Sequence, residues 1–296
     1  MMIKEKPAIS VVIPTYNSSS FFRETINAAL NQVDINVEIL VVDDCSDDRQ
    51  NLIDLINSLN DPRIRLILNK KKTNAANCRN VGIKAAKNDI VALLDADDQW
   101  HPCKLSMQIK QLSANSIVSC ESVVFNRKIP AKFKIHSSIR EVRKIETEMF
   151  SSVLPKLFLQ TSTLLFRKSE IGQSPFDATL ERHQDFQFIL RCSVRGLRAI
   201  ILDATLNAYF HRPGVIKTKN WRIDDSEKFL RKYLTQLPVA QRQNFAVSNL
   251  MVNAIYSGVI LQWLKICWRN GLINRMFFYK VISIIFHRLK YKFNNA

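Results

Sequence analysis

Two carboxylate clusters dominate the first hundred residues. Asp43 and Asp44 follow the apolar run Val37 to Val42, and Asp95, Asp97 and Asp98 follow Ile90 to Leu94. Like charges gathered at one edge repel, so five such side chains call for a cation or a hydrogen-bonding ligand. In Asp95-Ala96-Asp97, alternate residues of an extended chain point the same way, so both carboxylates can face one ligand. That donor set suits Mg2+ or Mn2+, hard cations that bind through one or two carboxylates, several waters and phosphate oxygens. A third polar group, Pro14-Thr15-Tyr16-Asn17, ends the run that begins at Ile9.

The elements that must position these groups alternate. Strands are predicted at Ile9 to Pro14, Val37 to Val42, Arg63 to Leu68 and Ile90 to Asp95, with consecutive apolar residues as in parallel strands covered on both faces. Between them, Phe22, Ile26, Ala29 and Leu30 fall at helical spacing, as do Leu52, Leu55, Ile56 and Leu59, and Val81, Ala85 and Ala86. The pattern is βαβαβαβ, a doubly wound α/β sheet, and in such sheets ligands bind beyond the carboxyl ends of the strands. Every cluster named above sits at such an end. Further on, Pro102 to Leu112 reads as helical, Ile117 to Phe125 as one or two strands, and Lys128 to Glu148 as a charged, irregular insert. Order returns with Leu157 to Phe166, a helix from Asp185 to Arg195, a short strand at Ala199 to Leu202 and a strand-like Leu206 to Phe210.

Composition narrows the function class. The chain has 296 residues, enough for one large core or two modest ones, and only six glycines, so neither GxGxxG nor a P-loop can be written in it. The six cysteines show no CxxC and no regular spacing, so neither a zinc site nor a disulfide framework is indicated, and a reducing compartment fits. The first apolar stretch is short and closed by Pro14, so no signal peptide and a cytoplasmic location are expected. The net charge of +17 is uneven: −2 over residues 1–98, +8 over 99–227 and +11 over 228–296, where no acidic residue occurs. No nucleic acid partner is expected, because an acidic sheet edge repels phosphate and no DNA- or RNA-binding signature accompanies the basic residues.

The motifs carry a resemblance. Ser10 to Asn17 (SVVIPTYN), Val42 to Ser46 (VDDCS), Arg79 to Ile83 (RNVGI) and Leu94 to Asp98 (LDADD) follow in the order typical of family 2 glycosyltransferases with the GT-A fold, and Thr161 to Arg167 (TSTLLFR) and His183-Gln184-Asp185 extend it. The resemblance implies a mixed sheet flanked by helices, an inverting transfer of sugar from a nucleotide diphosphate, and a catalytic domain over 1–220. Residues 1–98 would form its nucleotide-binding half and 99–220 its acceptor-binding half. It implies Pro14, Thr15, Tyr16, Asn17, Asp44, Arg79, Asp95 and Ala96 around the nucleotide, with UDP the expected donor. It also implies Mn2+ or Mg2+ at Asp95 and Asp97 with Asp98 and His211, and Asp185 as the base. The family often has Glu-Asp where this chain has Gln184-Asp185, so the basicity of Asp185 rests more on burial. The expected acceptor is a saccharide or a lipid-linked sugar, as in surface polysaccharide or glycolipid synthesis. A catalytically inactive relative serving as a membrane-associated scaffold is the alternative, and intact Asp95, Asp97 and Asp185 count against it.

Residues 221–296 read as a basic helical extension. Gln243 to Leu264 is 22 residues without a charge, but Asn249, Asn253 and Ser257 recur every four residues, which suits a protein-packed helix better than a membrane span. Phe278, Val281, Ile282, Ile285, Phe286 and Leu289 lie at helical spacing, with Lys280, Ser283, His287 and Lys290 on other faces. With Trp263, Lys265, Trp268, Arg269 and Arg275 just before it, this helix fits either an anchor on anionic lipid or a helix packed on the catalytic domain or in a dimer.

Overall fold

The structure, a computed structural model, describes residues 5–125, 144–148, 159–210, 223–235 and 237–294. The chain forms two compact units, one comprising Met1–Ser152, Leu159–Thr179 and Gln184–Pro213, the other Val153–Phe158, Leu180–His183 and Gly214–Ala296.

Among the described residues, the first unit is built on a nine-stranded mixed sheet. Strands β1 (Ala8–Thr15), β2 (Asn36–Asp43), β3 (Ile64–Leu68) and β4 (Ile90–Leu93) are mutually parallel in the order β3-β2-β1-β4. They alternate with α1 (Phe22–Leu30), α2 (Arg49–Leu59) and α3 (Ala75–Ala85). All eight residues of β1 except Ala8 are buried, as the unbroken apolar run requires of a strand covered on both faces. α3 lies so close to β1 that a Cβ on Gly82 would stand 2.3 Å from Val12 Cγ1, so only glycine fits there.

Beyond β4 the sheet turns mixed. After the short β5 (Gln99–Trp100) and α4 (Lys104–Ile109) come β6 (Ser116–Phe125), β7 (Lys144–Glu148), β8 (Leu165–Arg167), the one-turn α5 (Lys168–Ile171), α6 (Gln184–Val194) and β9 (Arg198–Phe210). β8 is antiparallel to β4 and β6, while β9 runs parallel to β6 and antiparallel to β5 and β7. The two short strands expected at 199–202 and 206–210 are one strand: exposed Asp203 interrupts the apolar pattern where the register against β6 shifts. Most of the insert expected over 128–148 lies outside the described residues.

The second unit contains α7 (Ile223–Tyr233), α8 (Val239–Phe245), a π-helical turn (Ala246–Met251), α9 (Val252–Tyr256), α10 (Ile260–Arg269) and α11 (Arg275–Asn294). Its core gathers Phe229, Phe245, Val247, Leu250, Trp263, Ile266 and Phe277. His183 belongs to this core, with Nε2 2.7 Å from Ser226 Oγ and its ring against Phe229 and Phe245. Burial and the neighbouring Arg182 pull its imidazole down to about 4. The uncharged run 243–264 is divided between α8, the π turn, α9 and α10, with a break at Gly258, whose φ is +71°. Among the described residues no helix is long and apolar enough to cross a membrane.

Candidate active site

The carboxyl ends of β1, β2 and β4 are tied together before any ligand is considered. Asn17, in the left-handed region at φ 49°, donates to Asp47 Oδ2 at 2.8 Å and accepts from Asp47 N at 2.8 Å. Asp43, counted in sequence among the ligand-facing carboxylates, is fully buried and held by Ser46 and by Arg49 Nε at 2.7 Å, so it fixes the turn after β2. Asp44 Oδ1 accepts from Thr73 Oγ1 at 2.6 Å, Thr73 N at 2.8 Å and Asn69 Nδ2 at 3.2 Å. Asp44 is thus oriented by the segment that leads into α3.

Of the first motif, Pro14 and Thr15 are buried, and Thr15 spends its hydroxyl on Val42 O. Tyr16 and Asn17 reach the surface, and Lys72 Nζ sits 3.5 Å over the Tyr16 ring. The turn Asp95-Ala96-Asp97-Asp98 is held from two sides. Thr25 of α1 donates to Ala96 O at 2.8 Å, and Ser162 Oγ accepts from Asp95 N at 3.0 Å. Asp95 and Asp97 are partly exposed, whereas Asp98 is fully buried.

Ser162 lies in a tight turn, Thr161–Thr163, that is anchored in turn by buried polar groups. Trp100 Nε1 donates to Ser162 O at 2.7 Å, and Gln108 Nε2 donates to Thr163 O at 2.7 Å. Gln108 Oε1 accepts from Lys104 Nζ at 2.8 Å, and that ammonium also sits 4.0 Å over the Trp100 ring. Lys104 is fully buried and burial pulls its ammonium down to about 8. Thr25, Thr73, Lys104 and Gln108 were not singled out in sequence, where each reads as an ordinary polar position on a helix or loop, and Ser162 stood only within the Thr161 to Arg167 motif with no role of its own.

Arg79 joins the Asp95 turn to the motif at 183–185. α3, which carries it, starts at Asn74, whose side chain accepts from Asn77 N, and is pinned along its length by paired bonds between Asn80 and Phe176. From there Arg79 Nη2 reaches Asp95 Oδ1 at 2.6 Å, and Nη1 reaches Gln184 Oε1 at 3.3 Å. Its guanidinium stands 5.5 Å from the centre of Phe176, which stacks on Phe188 of α6 at 4.7 Å. Arg79 is itself buried, and its Nε has no hydrogen-bond partner among the described residues.

Asp185 opens α6 beside this cluster, partly exposed yet surrounded closely enough that burial pushes its carboxyl above the ordinary range. The N–H of Phe186, 2.9 Å from Oδ1, works against that rise, as does Arg79, while Asp95 adds to it. Asp95, Arg79, Gln184 and Asp185 are therefore within electrostatic reach of one another. With Gln184 neutral, burial is the first cause of the raised Asp185.

Among the described residues no group of three or more His, Cys, Asp or Glu side chains could hold a metal ion alone. His211 lies outside the described residues. Asp95 and Asp97 fit a hard divalent cation provided that donor phosphates and water complete its shell, since Arg79 uses one oxygen of Asp95.

Residues 10–171 match the family described as "Glycosyl transferase family 2". The chain belongs to this family. Among its relatives, the amylovoran biosynthesis glycosyltransferase AmsB of Erwinia amylovora is 29% identical over 221 residues, 68% of this chain and 69% of AmsB. The enzyme named UDP-Glc:alpha-D-GlcNAc-diphosphoundecaprenol beta-1,3-glucosyltransferase WfaP, of Escherichia coli, is 37% identical over 191 residues, 64% of this chain and 72% of WfaP. The crystal structure of S. aureus TarS 1-349 in complex with UDP-GlcNAc superposes with a TM-score of 0.59 at 18% identity, over 93% of this chain and 79% of that one. The glycosyltransferase thus has the mixed sheet flanked by helices expected of a GT-A fold, with helices following it in the C-terminal part.

Proposed function

We propose that this glycosyltransferase moves a sugar from a UDP-sugar to an acceptor hydroxyl with inversion, at the cytoplasmic membrane face, in the synthesis of a surface polysaccharide or glycolipid. One observation carries the reading: Arg79 reaches both the Asp95 turn and, 105 residues further along the chain from itself, Gln184 next to Asp185. That cluster sets a cation and carboxylates for a diphosphate beside a carboxyl of raised proton affinity. The names of AmsB and WfaP point to polysaccharide and lipid-linked acceptors, and WfaP and the TarS complex to UDP-linked sugars.

In the proposed reaction Asp185 takes the proton of the acceptor hydroxyl. The acceptor oxygen forms its bond to the anomeric carbon as the bond from that carbon to the phosphate oxygen breaks, and the electron pair leaves with UDP from the opposite face. Arg79 balances charge on the departing diphosphate through its guanidinium charge. Asp44 and Tyr16, with Thr15 and Pro14 beneath them, hold the nucleoside, and Asn17 fixes their loop. Asp95 and Asp97, with Asp98 and His211 as further candidates, hold Mn2+ or Mg2+, which when bound supplies positive charge for the leaving diphosphate.

Thermal stability against a panel of nucleoside diphosphates, with and without Mn2+, tests the reading. A ligand at ~100 times its dissociation constant adds about 2.7 kcal/mol. UDP is expected to raise the melting temperature and Mn2+ to enlarge the shift. No shift with any nucleotide would favour the inactive scaffold instead.

A further inference from the structure

Over the described side chains of α11, the face turned inward carries Phe277, with Val281 and Ile284 half-buried at i+4 and i+7, and it is not the helix's only apolar face. Phe277 is buried and stacks on Trp263 at 5.5 Å, and Lys280 donates to Ala240 O at 2.7 Å, which fixes the inward side of the helix. Phe278, Ile282 and Ile285, at i, i+4 and i+7, form a stripe on the other side that remains exposed, Phe278 at 53% and Ile282 at 65%. α10 repeats the arrangement: Leu261 is 81% exposed and Trp268 72%, one helical face apart by four and three residues from exposed Lys265. Met276 and Tyr279 add to the exposed apolar surface.

Single exposed apolar residues are ordinary, but this many on two consecutive helices mark an interaction surface. Its charge identifies the partner. Residues 228–296 hold 11 Lys and Arg and no Asp or Glu, and Lys265, Arg269 and Arg275 are themselves exposed beside the apolar stripe. A second copy of the same surface would bring like charge against like charge. A nucleic acid would satisfy the charge but leave leucine and isoleucine against water. An anionic bilayer satisfies both, with headgroups meeting the basic residues, acyl chains covering the aliphatic stripe, and Trp268 and Tyr279 at the boundary between them.

We propose that α10 and α11 form a docking surface for anionic lipid bilayers, lying in the interface without crossing it. The surface rests on the second unit alone and not on the donor chemistry. If the donor reading above also holds, the surface delivers the enzyme to lipid-linked acceptors.

The test is flotation of the full chain with phosphatidylcholine vesicles, pure or containing about a third phosphatidylglycerol, across a salt series. Binding is expected only with phosphatidylglycerol and is expected to weaken as salt rises. Leu261→Ser/Trp268→Ser/Ile282→Ser is expected to lose at least ~10-fold in vesicle affinity. Lys265→Glu/Arg275→Glu is expected to lose at least ~25-fold, about fivefold for each basic residue at the surface. Both variants change exposed positions and are expected to keep the wild-type melting temperature and nucleotide response, which reads the donor site separately. Equal binding to neutral vesicles, no binding to either, or a dimer in light scattering that the triple variant dissolves would overturn the proposal.

Discussion

Lys104 allows the buried framework behind the Asp95 turn to be tested by proton linkage. It is fully buried, bonded to Gln108 Oε1 and seated on Trp100, and its ammonium is pulled from 10.5 to about 8 by burial. That drop means about 3 kcal/mol held against the charged form in the folded state. Between those two values the unfolded chain keeps a proton that the folded chain has released, so the Lys104 contribution to stability rises with pH. From pH 7 to about 9.5 the rise amounts to about 2 kcal/mol. Lys104→Met removes the titration while keeping a side chain of similar length. Buried Cys78, Cys120, Cys192 and Cys267 act in the opposite sense, because their thiols are pushed up to between about 11 and about 12 and stability falls as unfolded thiols ionise. Lys104 bears directly on the Cys120 thiol, so wild type and variant are compared in a Cys120→Ala background, where their difference cancels the other three. Urea unfolding followed by tryptophan fluorescence at several pH values is expected to show that difference growing by about 2 kcal/mol in favour of the wild type. A difference independent of pH would refute the assignment of a buried, carboxylate-free ammonium.

Three further outcomes follow from the same contacts. Gly82→Ala places a Cβ against Val12 and is expected to cost about 1–3 kcal/mol in unfolding experiments, with much of the loss relieved in a Val12→Ala background. Ser162→Ala removes the acceptor for the Asp95 N–H and is expected to lower stability by about 1 kcal/mol and to weaken UDP binding measured calorimetrically, while Ser162→Thr retains more of both. The rate of transfer is expected to fall with acidity at a pH above the ordinary aspartate range, because Asp185 acts only when ionised and its carboxyl is raised. A rate flat down to the pH of an ordinary aspartate would point to another base.

The parallel half of the fold was legible because its strands are covered on both faces and its helices repeat at 3.6 residues. β1, β2 and β3 match the expected ranges within one residue and α1 spans the expected positions, whereas β4 stops at Leu93, two residues short, where the chain turns towards Asp95. The clusters at the strand ends were legible for the same reason, since a run of charge after a buried strand has few other places to go. What was not legible is which acids are spent on the protein itself. Asp43 and Asp44 are adjacent and identical in type, yet one is buried by Arg49 and Ser46 and the other is held from Thr73, partners supplied by loops whose paths sequence does not fix. The supports of the Asp95 turn come from 67 and 71 residues away and leave no local signal. In α11 the apolar stripe was visible, but an exposed stripe and a packed one have the same periodicity.

The most direct test of the site is Asp185→Asn, measured for UDP-sugar affinity and for single-turnover transfer in the same preparation. If Asp185 is the base, donor affinity is expected within about twofold of wild type and turnover lower by at least ~100-fold, the range of general-base catalysis. Turnover near the wild-type rate, or a loss of donor binding as large as the loss of turnover, would contradict that role.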